Sequence, residues 1–221
     1  QIASGKRITS AADDTAGLAI ATRFSSDINA TQQALRNGLD AQSYIQTEDG
    51  ALNGISDNIQ RLQELALQQG NGILNDSDRQ ALAREAEQVS AQIQDTLQQS
   101  KFNGRPLFQR QQESSELSFQ LGDQAGDAIS LNANNDAATI EQHMAELDFS
   151  SADSSNNLTN LSDLQQTIND RRSELGAVSN RIDSSLENLR QQNESAQAAR
   201  SRIEDADLAD AASQRVREQI L

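Results

Sequence analysis

The chain has 221 residues and a formal net charge of −15, and 35% of it is hydrophobic, with aromatics at only 3%. So few large apolar groups cannot fill a wide globular core, and so acidic a surface would repel the phosphates of a nucleic acid. The absence of cysteine excludes disulfides and thiolate metal sites, and no stretch approaches the roughly 20 apolar residues that span a bilayer.

Residues Gln1 to Ser10 are small and polar around Gly5, and Ser10 and Asp13 offer side-chain oxygens to start a helix. A long helix is predicted over 13–69. No proline interrupts it, and Phe24, Ile28, Leu35, Leu39, Ile45, Leu52, Ile55, Ile59, Leu62 and Leu65 recur mostly at steps of three and four. At about 1.5 Å per residue it would run roughly 80 Å, more than a compact domain encloses. Gly70-Asn71-Gly72 should end it, because glycine and asparagine accept the left-handed backbone of a C-terminal cap. Asn75 to Asp78 then restarts a second helix over 77–100. Its stripe of Leu82, Ala86, Val89, Ile93 and Leu97 should pack back on the first helix.

A β-hairpin region is predicted over 102–135. Gly104 and Pro106 break the helix, and Leu117-Phe119-Leu121 and Ile129-Leu131 alternate on either side of the Gly122 to Gly126 turn. Residues 136–157 read as a short helix and a loop rich in Ser, Asp and Asn. The third long helix, over 158–203, carries the clearest signal: Leu161, Ile168, Leu175, Ile182, Leu189, Ala196 and Ile203 lie seven apart without interruption. Such a repeat keeps one seam facing a partner helix, with Leu164, Val178 and Ala199 in the companion row, where Arg171 and Ser185 weaken it. Gly176 is expected to mark a close approach of two backbones. Over 204–221 the pattern stays helical, anchored only by Leu208, Val216, Ile220 and Leu221. The fold class that follows is mainly α: an elongated antiparallel helical bundle or coiled coil of long helices with a small β-hairpin region.

Sites of chemistry are sparse. His143 is the single histidine, and a zinc pair needs a second. The serines have no histidine base in a recognisable pattern, and the glycines do not compose a phosphate-binding loop. Asp13-Asp14 and Glu204-Asp205-Ala206-Asp207 read more simply as helix punctuation than as ion sites. No catalytic, cofactor-binding or metal-binding residue is assigned, and no cofactor is expected.

Several blocks carry more specific information. Ser4-Gly5-Lys6-Arg7-Ile8-Thr9-Ser10-Ala11-Ala12-Asp13-Asp14-Thr15-Ala16-Gly17-Leu18-Ala19-Ile20-Ala21 is followed by Gln60-Arg61-Leu62-Gln63-Glu64-Leu65-Ala66-Leu67-Gln68, by Asn71-Gly72 and by Phe102-Asn103-Gly104. Leu175-Gly176-Ala177-Val178-Ser179-Asn180-Arg181 and Ala198-Ala199-Arg200-Ser201-Arg202-Ile203-Glu204-Asp205-Ala206-Asp207 come later. In this order the blocks resemble bacterial flagellins.

The resemblance implies a non-enzymatic structural subunit of the flagellar filament, secreted and part of the flagellum. Its N- and C-terminal helices would pack as a rod, here over 1–221 with no sizeable outer domain. The family's terminal polymerisation helices are not recognisable, which implies a chain trimmed at both ends and monomeric in solution. Implied partners are other flagellin subunits, the flagellar export apparatus with its chaperone, and Toll-like receptor 5. For the receptor or a neighbouring subunit, the family's motif falls on Gln60, Arg61, Glu64, Leu65, Ala66 and Leu67, with Glu85 on the returning helix, while Gln63 departs from it by replacing an arginine. Rival readings are a hook-filament junction protein, a flagellin carrying an enzymatic insert, and a generic coiled-coil adaptor.

Overall fold

A computed structural model describes residues 6–8, 10–108, 116–122, 124, 126–132, 136–151 and 153–205. The expected helical continuation over 206–221 lies outside them. The elements in chain order are α1 (Thr15–Gln69), α2 (Asp76–Gln99), β1 (Lys101–Phe102), β2 (Arg105–Pro106), β3 (Glu116–Gln120), β4 (Ala128–Asn132), α3 (Asp136–Ala145) and α4 (Ser155–Glu204). The fold is a helical bundle of long helices with two small two-stranded sheets, β1 with β2 and β3 with β4. The chain divides into two compact units. One comprises Gln1–Asp40, Phe119–Ile129 and Ile182–Leu221, the other Ala41–Ser118 and Ser130–Arg181.

In the first unit, α1 and α4 run antiparallel. The Asn193 amide donates to the Ile28 carbonyl at 3.2 Å and Arg200 reaches the Ser25 hydroxyl at 3.4 Å. Asp14, and not Asp13, caps α1, its Oδ1 accepting from the Gly17 N–H at 2.9 Å. Asp13 instead accepts from the Ser10 backbone and hydroxyl. Its core includes Ala21, Ile28 and Ala34 of α1 and Ile182, Leu186 and Leu189 of α4, all buried. Close approach occurs at Gly38: a Cβ there would sit 2.6 Å from Leu186 Cδ2 and 3.1 Å from Leu121 Cδ2. Leu39, expected on the buried stripe, is 47% exposed, since Gly38 takes the inward position. The segment before α1 is tied to the end of α4. Lys6 pairs with Glu204, and the Arg7 N–H and guanidinium donate to the Glu204 and Ile203 carbonyls at 2.7 and 2.9 Å. Cations there suit the negative end of the α4 dipole.

The second unit holds the larger apolar core. Leu52, Ile55, Ile59, Leu62, Leu65 and Ala66 of α1 are buried, together with Leu82, Ala86, Ile93 and Leu97 of α2 and Leu161, Leu164, Ile168, Leu175 and Val178 of α4. The seven-residue seam of α4 is therefore real: Leu161 to Leu189 are buried, and Ala196 and Ile203 are half-buried. Gly176 does not mark a close approach. It is exposed, and a Cβ on it would meet nothing within 4 Å.

The end of α1 also differs from expectation. Neither Gly70 nor Gly72 has positive φ; the last turn tightens instead, with Asn71 N–H donating to the Gln68 carbonyl at 3.0 Å. A Cβ at Gly70 would lie 2.8 Å from Ser154 Oγ, so the serine side chain would have to turn aside. Asn75 then starts α2 with a reciprocal capping box to Asp78. β1 and β2 form a tight hairpin that the sequence reading passed over. Asn103 (φ 49°) and Gly104 (φ 77°) are its two turn residues, and Phe102 on β1 meets Tyr44 edge to face at 5.5 Å.

Candidate functional site

Burial of Ile59, Leu62, Leu65 and Ala66 turns the opposite face of α1 outward, and on it Gln60, Arg61 and Glu64 are exposed. The antiparallel α2 brings Glu85 alongside. The Arg61 guanidinium donates through Nε to Glu85 Oε1 at 3.0 Å and through Nη1 to Glu64 Oε2 at 2.7 Å, and its Nη2 also pairs with Glu85. Hydrogen bonding to Glu85, then to Glu64, raises the guanidinium pKa above its already high ordinary value. Arg61 is thus a fixed, charged fork held by two carboxylates while its side chain stays 48% exposed.

Leu65 does not belong to this surface. It is 1% exposed and forms the core beneath it. Gln63 turns away as well, donating to the Leu161 carbonyl on α4 at 3.4 Å. Leu67, the last residue the family's motif covers and one turn beyond Glu64, is 66% exposed and adds an apolar group to the same face. Gln60, Arg61, Glu64, Glu85 and Leu67 make up the candidate interaction surface.

Two polar clusters lie elsewhere along α1. At the middle of the second unit, Arg171 is 4% exposed and Glu48 is fully buried. Arg171 Nε donates to Glu48 Oε1 at 2.8 Å, and its Nη1 reaches Glu174 Oε2 at 2.8 Å and the Asn132 carbonyl at 3.2 Å. Beside it Arg172 pairs with Asp49 at 2.8 Å. Arg171, read from sequence as a flaw in the seam, is a buried ion pair joining α1, α4 and the end of β4. Two adjacent acids on α1 opposite two adjacent arginines on α4 were the available signal.

At the other end of α1, Gln69 is 1% exposed and donates to the Asp148 and Ser151 carbonyls at 2.9 and 2.7 Å. Asn157 donates to Gln69 Oε1 and to the Asp148 carbonyl, and accepts from the Asp148 N–H. Bonds from the Ser150 hydroxyl and N–H hold the Asp148 carboxyl below the usual range, and bonds from the Ser155 N–H and hydroxyl do the same for Asp153. Hydrogen bonds thus order the loop expected at 148–157, whose last residues, from Ser155 on, already belong to α4. His143 lies half-buried on α3, and its Nδ1 is buried without a hydrogen bond. Among the described residues no group of three or more possible metal ligands forms, and no helix is long and apolar enough to cross a membrane.

The family model for the bacterial flagellin N-terminal helical region matches residues 1–113, and that for the C-terminal helical region matches residues 158–221. A flagellin of Halalkalibacterium halodurans is 34% identical over 211 residues, 95% of this chain and 77% of the relative. Flagellin 1 of Proteus mirabilis is 41% identical over 132 residues, covering 60% of this chain but 36% of the relative. The crystal structure of Bacillus cereus flagellin superposes with a TM-score of 0.62 at 30% identity, over 70% of this chain and 88% of that one.

Proposed function

The chain belongs to the bacterial flagellin family, and from that premise we propose that Gln60, Arg61, Glu64, Glu85 and Leu67 are the surface through which this filament subunit meets another protein. The chain is a structural subunit of the flagellar filament and assembles with other flagellin subunits. Its role is mechanical, with no catalytic step. It reaches the filament by secretion through the flagellar export apparatus with a chaperone. The match of separate N- and C-terminal flagellin models to the segments holding α1 and α4, helices that pair antiparallel, carries the filament reading. Joined between the host's own terminal polymerisation helices and expressed in a bacterium deleted for its filament protein, this chain should restore filaments in electron micrographs. Bald cells that nonetheless contain folded protein would refute it.

For the surface itself, the supporting observation is the Arg61 fork. An exposed guanidinium already oriented by Glu64 and Glu85 gives up little side-chain freedom when a partner adds an acceptor, and Leu67 supplies apolar area beside it. The partners are a neighbouring flagellin subunit and, in an animal host, Toll-like receptor 5. Arg61→Ala should weaken binding of the receptor ectodomain by about fivefold or more, the effect of a loss above 1 kcal/mol at a hot spot. Equal affinities for the variant and the parent would remove Arg61 from the site.

A further inference from the structure

Four Asn-Gly pairs occur in the chain: Asn37-Gly38, Asn53-Gly54, Asn71-Gly72 and Asn103-Gly104. An asparagine followed by glycine can react with its own backbone, because no Cβ shields the next amide nitrogen. Whether it does so depends on whether that nitrogen can reach the side-chain carbonyl carbon. In the structure the four pairs differ sharply. Asn37 and Asn53 lie inside α1, where the following N–H is engaged in the helix ladder. Asn37 is held further, its amide donating to the Gln120 carbonyl at 3.0 Å and accepting from Gln33 at 2.9 Å. Asn103 is fixed at φ 49° in the hairpin turn.

Asn71 lies exposed in the connection between α1 and α2. Its side chain folds over the backbone that follows, and Oδ1 accepts a hydrogen bond from the Ile73 N–H at 3.3 Å. A side chain bonded back to the second following N–H in this way stays beside the intervening peptide, whose nitrogen is that of Gly72. The Ile73 N–H also points at the oxygen on which negative charge develops when the carbon is attacked, so it assists as a single oxyanion donor does. A Cβ on Gly72 would meet nothing within 4 Å, so no neighbour packs against the approach.

We propose that Asn71-Gly72 is a self-modification site, at which asparagine converts through a cyclic imide to aspartate and isoaspartate. The Gly72 nitrogen gives its proton to water and bonds to Asn71 Cγ. The tetrahedral adduct expels the side-chain nitrogen, which leaves as ammonia after taking up a proton. Water then adds to either imide carbonyl and the ring opens. One product is ordinary aspartate; the other runs the backbone through the former side chain, with one extra methylene. Both make the turn one unit more negative, at the end of α1 where its dipole is already negative. The charge and backbone path of the α1–α2 turn thus change with the age of the molecule, without any enzyme.

The test is to incubate the intact chain at mildly alkaline pH and 37 °C and to follow each Asn-Gly peptide by mass spectrometry and by labelling with an isoaspartyl methyltransferase. The Asn71 peptide should gain about 1 Da and acquire label, at least about tenfold faster than the Asn37 and Asn53 peptides, which react only after local opening of the helix. Gly72→Ala is the matching control. Its backbone is not in the left-handed region and its Cβ has room, so the variant should melt like the parent while the conversion slows by a similar factor. Equal rates at Asn71, Asn37 and Asn53, or undiminished conversion in a normally folded Gly72→Ala chain, would overturn the proposal.

Discussion

Arg171 shows how a single residue can be misjudged by pattern alone. In the seven-residue repeat it falls where an apolar group belongs, and periodicity could register only a weak point. What periodicity lacks is the partner, since Glu48 lies 123 positions away on another helix. Removing one member of a buried pair leaves the other charge without compensation, which costs about 3–5 kcal/mol. Arg171→Ala should therefore lower the urea midpoint strongly. Replacing both members with apolar groups of similar size, Glu48→Leu with Arg171→Met, should recover most of that loss, because the desolvation of both charges disappears with them. If the double variant were no more stable than Arg171→Ala, the stabilising role of the pair would have to lie in its bonds to Glu174 and Asn132 instead.

Among the elements, the long helices were legible because their signals repeat. Seven evenly spaced apolar residues on α4 cannot arise from one accidental placement, and the structure buries the first five of them. Turns and close contacts were less legible, for they depend on a single residue and on what lies opposite. Gly176 was expected to mark a tight approach and Gly38 was not, yet a Cβ at Gly38 would strike Leu186 and one at Gly176 would meet nothing. The two positions should respond oppositely to the same change. Gly176→Ala should raise stability by about 1 kcal/mol, the helix-propensity difference. Gly38→Ala should lower it, because overpacking costs about 1–3 kcal/mol against a propensity gain of about 1. A gain at both positions in denaturant titrations would mean that α1 and α4 can separate locally without loss.

The start of α2 offers a second check at the same scale. Asn75 and Asp78 cap each other's backbone, and Asn75→Ala should cost about 0.5–2 kcal/mol. Hydrogen exchange should quicken first in the turn at Asp76 to Arg79, the part of α2 nearest the Asn71 turn. Of the candidate surface, Gln60, Arg61, Glu64, Leu67 and Glu85 were legible because the flagellin motif named them. Leu65 was placed there wrongly, since a motif records which residues recur and not which way each side chain points.

For the whole molecule, charge sets two separate responses to acid. The net charge of −15 keeps molecules apart at neutral pH, and it vanishes near the sequence pI of about 4.4. Self-association should therefore peak there. The carboxyls that hold the start of α4 respond later. Asp148 and Asp153 both have folded-state pKa values below the ordinary one, so the stability they contribute is complete above about 3.9, the unfolded value, and is lost as pH falls through the folded one. Circular dichroism and light scattering on one acid titration should then separate the two events, with scattering rising near pH 4.4 at full helicity and helix signal falling only below about 3.9. Added salt should blunt the contrast by screening repulsion at neutral pH, while leaving the hydrogen-bonded carboxyls largely unaffected. Helix loss that coincided with the rise in scattering would mean that association, and not the Asp148 and Asp153 bonds, governs acid unfolding.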